Sequence, residues 1–346
     1  MAKQAGVFAW LIGIAALVGL AVWSGLDAVG HAFSSVGWGI LLVVLARAVT
    51  VSVAGVGWWL LFPSKLRPPL QTCVVVRFLR EAANALLPLG QVGGDLLGAG
   101  LLTLRAAVRA ALATASVIVD ILVQAATQLL FAVLGLLVLF ALEADQTLTR
   151  VAAVGLAIGA LALVGFYLAQ RCGGQRILRW AMGVLTGDLK GRVLVTIDAV
   201  YQDLAMIYAA RSGLVASSLV HMAGWIVGIA EVLIVFAFMG HPVSVAEALV
   251  IESLLHAIRG AAFAIPGALG AQEGGLVLLC AAFGIPAEQA IALSLVKRAA
   301  DLALGAPALL CWQTLEWRRL MPGTLMRARQ PQEAIAPRPP EPMNRG

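Results

Sequence analysis

The sequence predicts an all-α polytopic membrane protein, with about six full spans plus two re-entrant helical hairpins arranged as an inverted repeat. Three observations carry this reading. Of 346 residues, 61% are hydrophobic and 12% charged, against about 25% charged in soluble domains, and mean hydropathy is +0.94. Apolar blocks of the length a hydrocarbon core requires, about 20 residues for roughly 30 Å, recur at 6–24, 36–62, 110–140, 150–170, 213–239 and 289–315. Two more apolar stretches, 71–105 and 247–287, are interrupted by Pro, Gly and charges. Each has room for two short helices with a break between them.

Taken in order, the N-terminal run after Lys3 is long for a signal-peptide core and more spans follow, so an uncleaved first span is expected. Orientation follows from Lys and Arg. Asp27 is the sole charge between the first two spans, Glu143 and Asp145 open the 141–149 connection, and 240–246 has no Lys or Arg. Basic residues instead gather at Lys65 and Arg67, at Arg105 and Arg109, along 171–212, and after the last span at Arg318, Arg319, Arg327 and Arg329. Alternation then places both termini in the cytoplasm, with the first broken stretch opening inside and the second outside. The 171–212 segment mixes apolar and charged residues at roughly helical spacing and is expected along the cytoplasmic interface. Residues 1–320 form one transmembrane domain. Residues 321–346 are Pro-rich and polar, a disordered cytoplasmic tail.

Composition also excludes. A net charge of +6 scattered over connections suits an anionic membrane surface and is no nucleic-acid footprint. Cys73, Cys172, Cys280 and Cys311 lie far apart without CxxC spacing, so neither a metal site nor a disulfide framework is expected. No HExxH and no GxxxxGK[ST] occurs. The "VGGD" at 92–95 approaches the GxGD of intramembrane aspartyl proteases, but Val92 replaces the first Gly. The expectation is a protein that is not an enzyme and holds no cofactor.

The two broken stretches echo each other. "LLPLGQVGGDLL" and "AIPGALGAQEGGLVLL" both carry Pro, then Gly, then a Gln near a Gly-Gly pair and a carboxylate. The breaks fall at Pro88, Gly90, Gly93 and Gly94 in the first, and at Pro266, Gly270, Gly274 and Gly275 in the second. Three full spans separate them, an odd number, so the echo is inverted across the bilayer. Inverted repeats with interrupted hydrophobic segments point to a binding site near the midplane. Freed backbone groups are tolerated at that depth only beside protein or a wet cavity.

Intramembrane charges are costly, at least about 2.5 kcal/mol each, so each needs a reason. The first broken stretch holds Arg77, Arg80, Glu81, Asn84, Gln91 and Asp95, and helical spacing puts the first four on one face. The second holds Glu252, His256, Arg259, Gln272 and Glu273. Lys297, Arg298 and Asp301 open the last span, and Arg47, Asp120 and Glu231 sit deeper in others, with Gln124 and Gln128 continuing the Asp120 face. Neighbour pairs such as Arg80–Glu81 or Arg298–Asp301 that merely hold helices together are the alternative to a polar cavity. His31, His221 and His241 read as interface or packing residues.

On these residues the chain resembles the flippase-like membrane-protein family, which includes the membrane region of lysylphosphatidylglycerol synthases. "RFLREAANALLPLGQVGGDLLGA", "ASVIVDILVQAATQLLFAVLG", "ESLLHAIRGAAFAIPGALGAQEGGLVLLCAAFG" and "ALSLVKRAADLALGAPALL" carry the likeness over roughly 36–315, and it is strongest to members associated with hopanoid biosynthesis. The resemblance implies a multi-pass protein of the bacterial inner membrane that moves a phospholipid or hopanoid between leaflets. Its motif positions here are Arg80, Glu81, Asn84, Pro88, Gly90, Gln91, Gly93, Gly94 and Asp95, then Arg259, Pro266, Gly270, Gln272, Glu273, Gly274, Gly275, Lys297 and Arg298. "KRAAD" places its acidic residue later than the family usually does. The chain ends soon after its last span, so lysyl transfer to lipid is not expected. Arg77, Arg80 and Arg259 would attract a head group, with Asp95 and Glu273 balancing them or taking up protons. A non-transporting accessory protein that scaffolds lipid-synthesis enzymes, and a transferase using Asp95 and Asp120, are the competing readings.

Overall fold

The computed structural model describes residues 26–86, 93–143, 145–171, 174–176, 187–263 and 265–320. The expected first span at 6–24, the break residues Pro88 and Gly90, the cavity candidate Gln91, and the tail at 321–346 lie outside the described residues. Among those described, every regular element is helical.

Four apolar blocks become helices long and apolar enough to cross a membrane: α2 (Gly39–Leu60), α5 (Ala110–Ala141), α6 (Gln146–Arg171) and α8 (Arg211–Phe238). The last block becomes α11 (Ala287–Leu320), the longest described helix, which carries Glu288, Lys297, Arg298 and Asp301 and so falls outside that apolar class. Where the sequence reading had only a connection around Asp27, the chain forms α1 (Leu26–Val36). Phe33 and Val36 recur at i, i+3 and bury into the core, which is reason enough for the extra turns. The basic 171–212 connection contains α7 (Gly187–Ala209), which packs along α5 and buries Ile197, Leu204 and Ile207.

Each interrupted stretch contributes two helices, on either side of the undescribed 87–92 in the first and of a turn in the second. The first gives α3 (Leu70–Leu86) and α4 (Gly93–Ala106); the second gives α9 (Val245–Ala261), a 3-10 turn at Pro266–Ala268, and α10 (Ala271–Ala281). α9 starts on a capping box, in which Ser244 Oγ accepts from the Glu247 amide at 3.2 Å and Glu247 Oε2 accepts from the Ser244 amide at 2.7 Å. The second break needs backbone that L side chains rarely adopt, with φ of +61° at Gly267 and +79° at Gly270. The Gly270 amide then donates to Glu273 Oε2 at 2.7 Å, closing the start of α10.

The element order α2–α3/α4–α5 repeats as α8–α9/α10–α11, and the packing repeats with it. The leading helices α2 and α8 lie against each other, α5 packs on α9, and α11 packs on α3. Each half therefore seats its last helix on the interrupted unit of the other. The leading pair is antiparallel: a Cβ on Gly39 would lie 2.8 Å from Phe238 at one end, and one on Gly213 would lie 2.9 Å from the Leu60 carbonyl at the other. Trp58 donates to Ser116 at 3.1 Å, which brings the start of α5 to the end of α2.

The outer ends of α3 and α4 thus share one end of the bundle with Lys65, Arg67, Arg105, Arg109, Arg171 and Arg211. The outer ends of α9 and α10 share the other with Glu143, Asp145, Glu247 and Glu288, and with Arg150. Two apolar cores result. Trp58, Phe62, Leu79, Leu102, Leu112 and Ile207 belong to the one at the basic end. Val43, Phe131, Val232, Phe236, Ile251 and Leu279 belong to the other.

Candidate functional site: a charged cavity between the two cores

Along α2, α5 and α8 the order is the same: core, polar segment, core. The polar segments enclose a cavity of about 460 Å³ lined from both interrupted units, within the range of small-molecule sites, roughly 300–1,000 Å³. Four arginines (Arg47, Arg77, Arg80, Arg259) and five carboxylates (Glu81, Asp95, Glu231, Glu252, Asp301) face it. Charges of both signs line it in near balance, so its walls suit a polar or charged group better than an apolar one.

One cluster is built on Asp120, buried in α5. Its Oδ2 accepts from Arg77 Nη1 and Arg80 Nη1, both at 2.9 Å, and from Gln124 Nε2 at 2.8 Å. Its Oδ1 lies 3.2 Å from His221 Nε2. Arg77 also reaches Glu81 at 2.6 Å, while Arg80 binds Asp95 at 2.6 Å through Nη2 and stacks 4.5 Å over the Trp58 ring. Glycine makes this possible. A Cβ on Gly98 would come within 2.5 Å of Arg80 Cδ, and one on Gly94 within 2.2 Å of the Arg80 carbonyl. The Arg80 stem lies in the groove these residues leave, and Asn84 Oδ1 accepts from the Gly94 amide at 2.8 Å, fixing the start of α4.

The second cluster is built on Lys297, buried in α11. Its Nζ lies 2.8 Å from Glu231 Oε2 and 2.9 and 2.8 Å from the two oxygens of Glu252. Arg47 shares Glu231 at 2.9 Å and reaches Asp301 at 3.5 Å, so α2, α8, α9 and α11 are tied through one network. His256 bonds Glu252 at 3.1 Å and meets the Trp225 ring edge-on at 4.7 Å. Gln128 donates to the His256 carbonyl at 2.7 Å. Asp120 and Lys297 each stand ten residues into their helices. At 1.5 Å per residue that is about 15 Å from the start of each helix, the two starts lying at opposite ends of the bundle, and half of a roughly 30 Å core.

Of the residues singled out from sequence, Arg77, Arg80, Glu81, Asn84, Asp95, Glu252 and Arg259 line the cavity, and Asp120 and Lys297 hold its walls from behind. Gln272, Glu273 and Arg298 form a separate knot between α10 and α11. There Arg298 Nε donates to Glu273 Oε1 at 2.7 Å, Gln272 donates to Ser294 at 2.8 Å, and Arg298 also reaches the Gly267 carbonyl. Gln91 lies outside the described residues. The neighbour pairs considered from sequence are replaced by longer-range ones: Glu81 takes Arg77, Arg298 takes Glu273, and Asp301 takes Arg47. His221, read from sequence as an interface or packing residue, is buried at Asp120 and faces the cavity. Arg47, Glu231 and Trp225 complete the lining; the first two were visible as charges in long apolar runs, whereas nothing in the sequence marks Trp225.

A helical bundle with four membrane-length apolar helices and a charged cavity at mid-depth defines a multi-pass integral membrane protein. Its sequence matches the pattern of the lysylphosphatidylglycerol synthase transmembrane region over residues 10–308, and the chain belongs to that family. No curated protein and no solved structure matches it.

Proposed function

We propose that the protein moves a polar-headed lipid, a hopanoid or a phospholipid, between the leaflets of the bacterial inner membrane, with the head group in the charged cavity and the apolar part in the bilayer. One observation carries this: a cavity with charges of both signs, at mid-depth, walled by both interrupted units. The basic end lies in the cytoplasm by the positive-inside rule, both termini with it. The α3/α4 and α9/α10 units are re-entrant hairpins entering from opposite faces. Buried ion pairs are poor stabilisers compared with apolar packing, so this many at one depth argue for retention by function. No covalent step is required of the site, and its partners are membrane lipids.

The test is a leaflet-resolved assay in proteoliposomes with fluorescent phosphatidylglycerol and a fluorescent hopanoid as probes. Wild-type protein is expected to exchange at least one probe several-fold faster than protein-free vesicles. Glu81→Gln, whose side chain is 44% exposed, is expected to slow that exchange without lowering the melting temperature. Rates equal to protein-free vesicles for both probes would sink the proposal and leave the accessory-protein reading.

A further inference from the structure

The charges around Asp120 do not balance. Two guanidinium groups, Arg77 and Arg80, meet three carboxylates, Asp120, Asp95 and Glu81. With a neutral imidazole the cluster, whose Glu81 member opens to the cavity at 44% exposure, therefore carries one net negative charge. Asp120 Oδ2 already accepts three donors, and its Oδ1 faces His221. Protonating Asp120 would leave two buried guanidinium groups short of an acceptor, so this carboxylate stays ionised. An ionised acceptor fixes the imidazole tautomer: Nε2–H donates to Asp120, and Nδ1 keeps the lone pair.

The ring is also held in place. A Cβ on Gly57 of α2 would lie 2.7 Å from His221 Nε2, so only glycine there lets the imidazole lie between α2 and α5. Asp120 from α5 bonds it, the Arg77 and Arg80 cations of α3 meet that same carboxylate, and Glu81 of α3 and Asp95 of α4 line the same cavity. Arg47 on α2 and Glu231 on its own helix stand further along the cavity. Histidine is the side chain whose ordinary pKa sets its charge change between pH 5 and 8; His31 and His241 are exposed, while His256 lines the same cavity bonded to Glu252 in the other cluster.

We propose that His221, braced by Asp120, is a proton-binding site of the cavity and that its proton is coupled to lipid movement. The second half rests on the lipid reading; the first does not. The proton adds to the Nδ1 lone pair, no bond breaks, and the cluster becomes neutral. Proton uptake thus alters the charge that a head group meets beside Arg77 and Glu81.

Two measurements decide this. Histidine-selective ¹⁵N NMR of the full chain in nanodiscs, assigned with His221→Gln, reads the proton site directly. As the medium is acidified, the Nδ1 signal of His221 is expected to change from that of an unprotonated ring nitrogen to that of a protonated one, while Nε2 stays protonated. A ring whose Nδ1 takes up no proton while the protein remains folded, or whose Nε2 is the nitrogen without a proton at the start, overturns the proton site. In vesicles carrying the fluorescent phosphatidylglycerol and the fluorescent hopanoid, an imposed pH gradient should shift the leaflet ratio of the probe that moves, and His221→Gln should abolish the shift. Movement indifferent to the gradient overturns the coupling while leaving the lipid reading intact. No movement by wild type sinks the lipid reading and the coupling together, and the titration still decides the proton site.

Discussion

The two halves of the molecule use one scaffold with opposite charge. In α3 the seventh, eleventh and fourteenth residues after the helix start are Arg77, Glu81 and Asn84; in α9 they are Glu252, His256 and Arg259. Ten residues into the helix that follows each interrupted unit stands Asp120 in one half and Lys297 in the other. Two cations converge on a buried anion in the first half, and two anions converge on a buried cation in the second. Even the first turn after each break repeats: Asp95 binds Arg80, and Glu273 binds Arg298. The scaffold fixes where ionisable groups sit, while their signs are free to differ. The buried hub beside the cavity is therefore an anion in one half and a cation in the other.

The comparison breaks most sharply at the two buried hubs. Asp120→Ala removes the acceptor for Arg77, Arg80 and His221 at once, and stranding buried charges costs about 3–5 kcal/mol. The expected result is a large drop in melting temperature in detergent, or no recoverable folded protein. Lys297→Met should be milder, because Arg47 still holds Glu231 at 2.9 Å and only Glu252 loses its cation. If the two variants melt together, the hubs are equivalent and Arg47 contributes nothing.

Glycines sharpen it next. Gly98→Ala forces a methyl to within 2.5 Å of the Arg80 stem, and overpacking of this kind costs about 1–3 kcal/mol. In the second half, nothing lies within 4 Å of a Cβ on Gly274. Gly274→Ala should therefore be neutral, or stabilising by up to about 1 kcal/mol through helix propensity. Paired thermal melts read the contrast directly. The last contrast lies at the basic end, where Arg109 is 62% exposed but its partner Asp203 only 4%. Arg109→Ala removes an exposed cation and leaves a buried carboxylate, so it should cost more than the roughly 1 kcal/mol of a fully exposed pair, and a smaller loss would mean that water reaches Asp203.

Much of this was legible in the chain itself. Long apolar runs gave α2, α5, α6 and α8 to within a few residues, because a hydrocarbon core demands uninterrupted helix of that length. The Pro and Gly interruptions marked the second break, at Pro266–Ala268, and helical spacing put Arg77, Arg80, Glu81 and Asn84 on one face. α1 was missed because its few turns depend on burial of Phe33 and Val36 against the core, which no local pattern announces. His221 was misjudged for a related reason: a lone histidine in an apolar run looks like packing until Asp120, 101 residues away, arrives beside it.

The sequence alone determined that the protein is helical and membrane-embedded, where its helices break, and that its costly charges concentrate in and around the interrupted stretches. These follow from hydropathy, backbone geometry and the price of charge in hydrocarbon, all of which act locally. Only the tertiary structure decided which charge meets which. Arg80 chose Asp95 and Asp120 over its neighbour Glu81, and Arg298 chose Glu273 over Asp301. Partners among buried ions are set by how helices distant in sequence pack, by the glycines that let them approach, and by the balance each cluster must reach out of water.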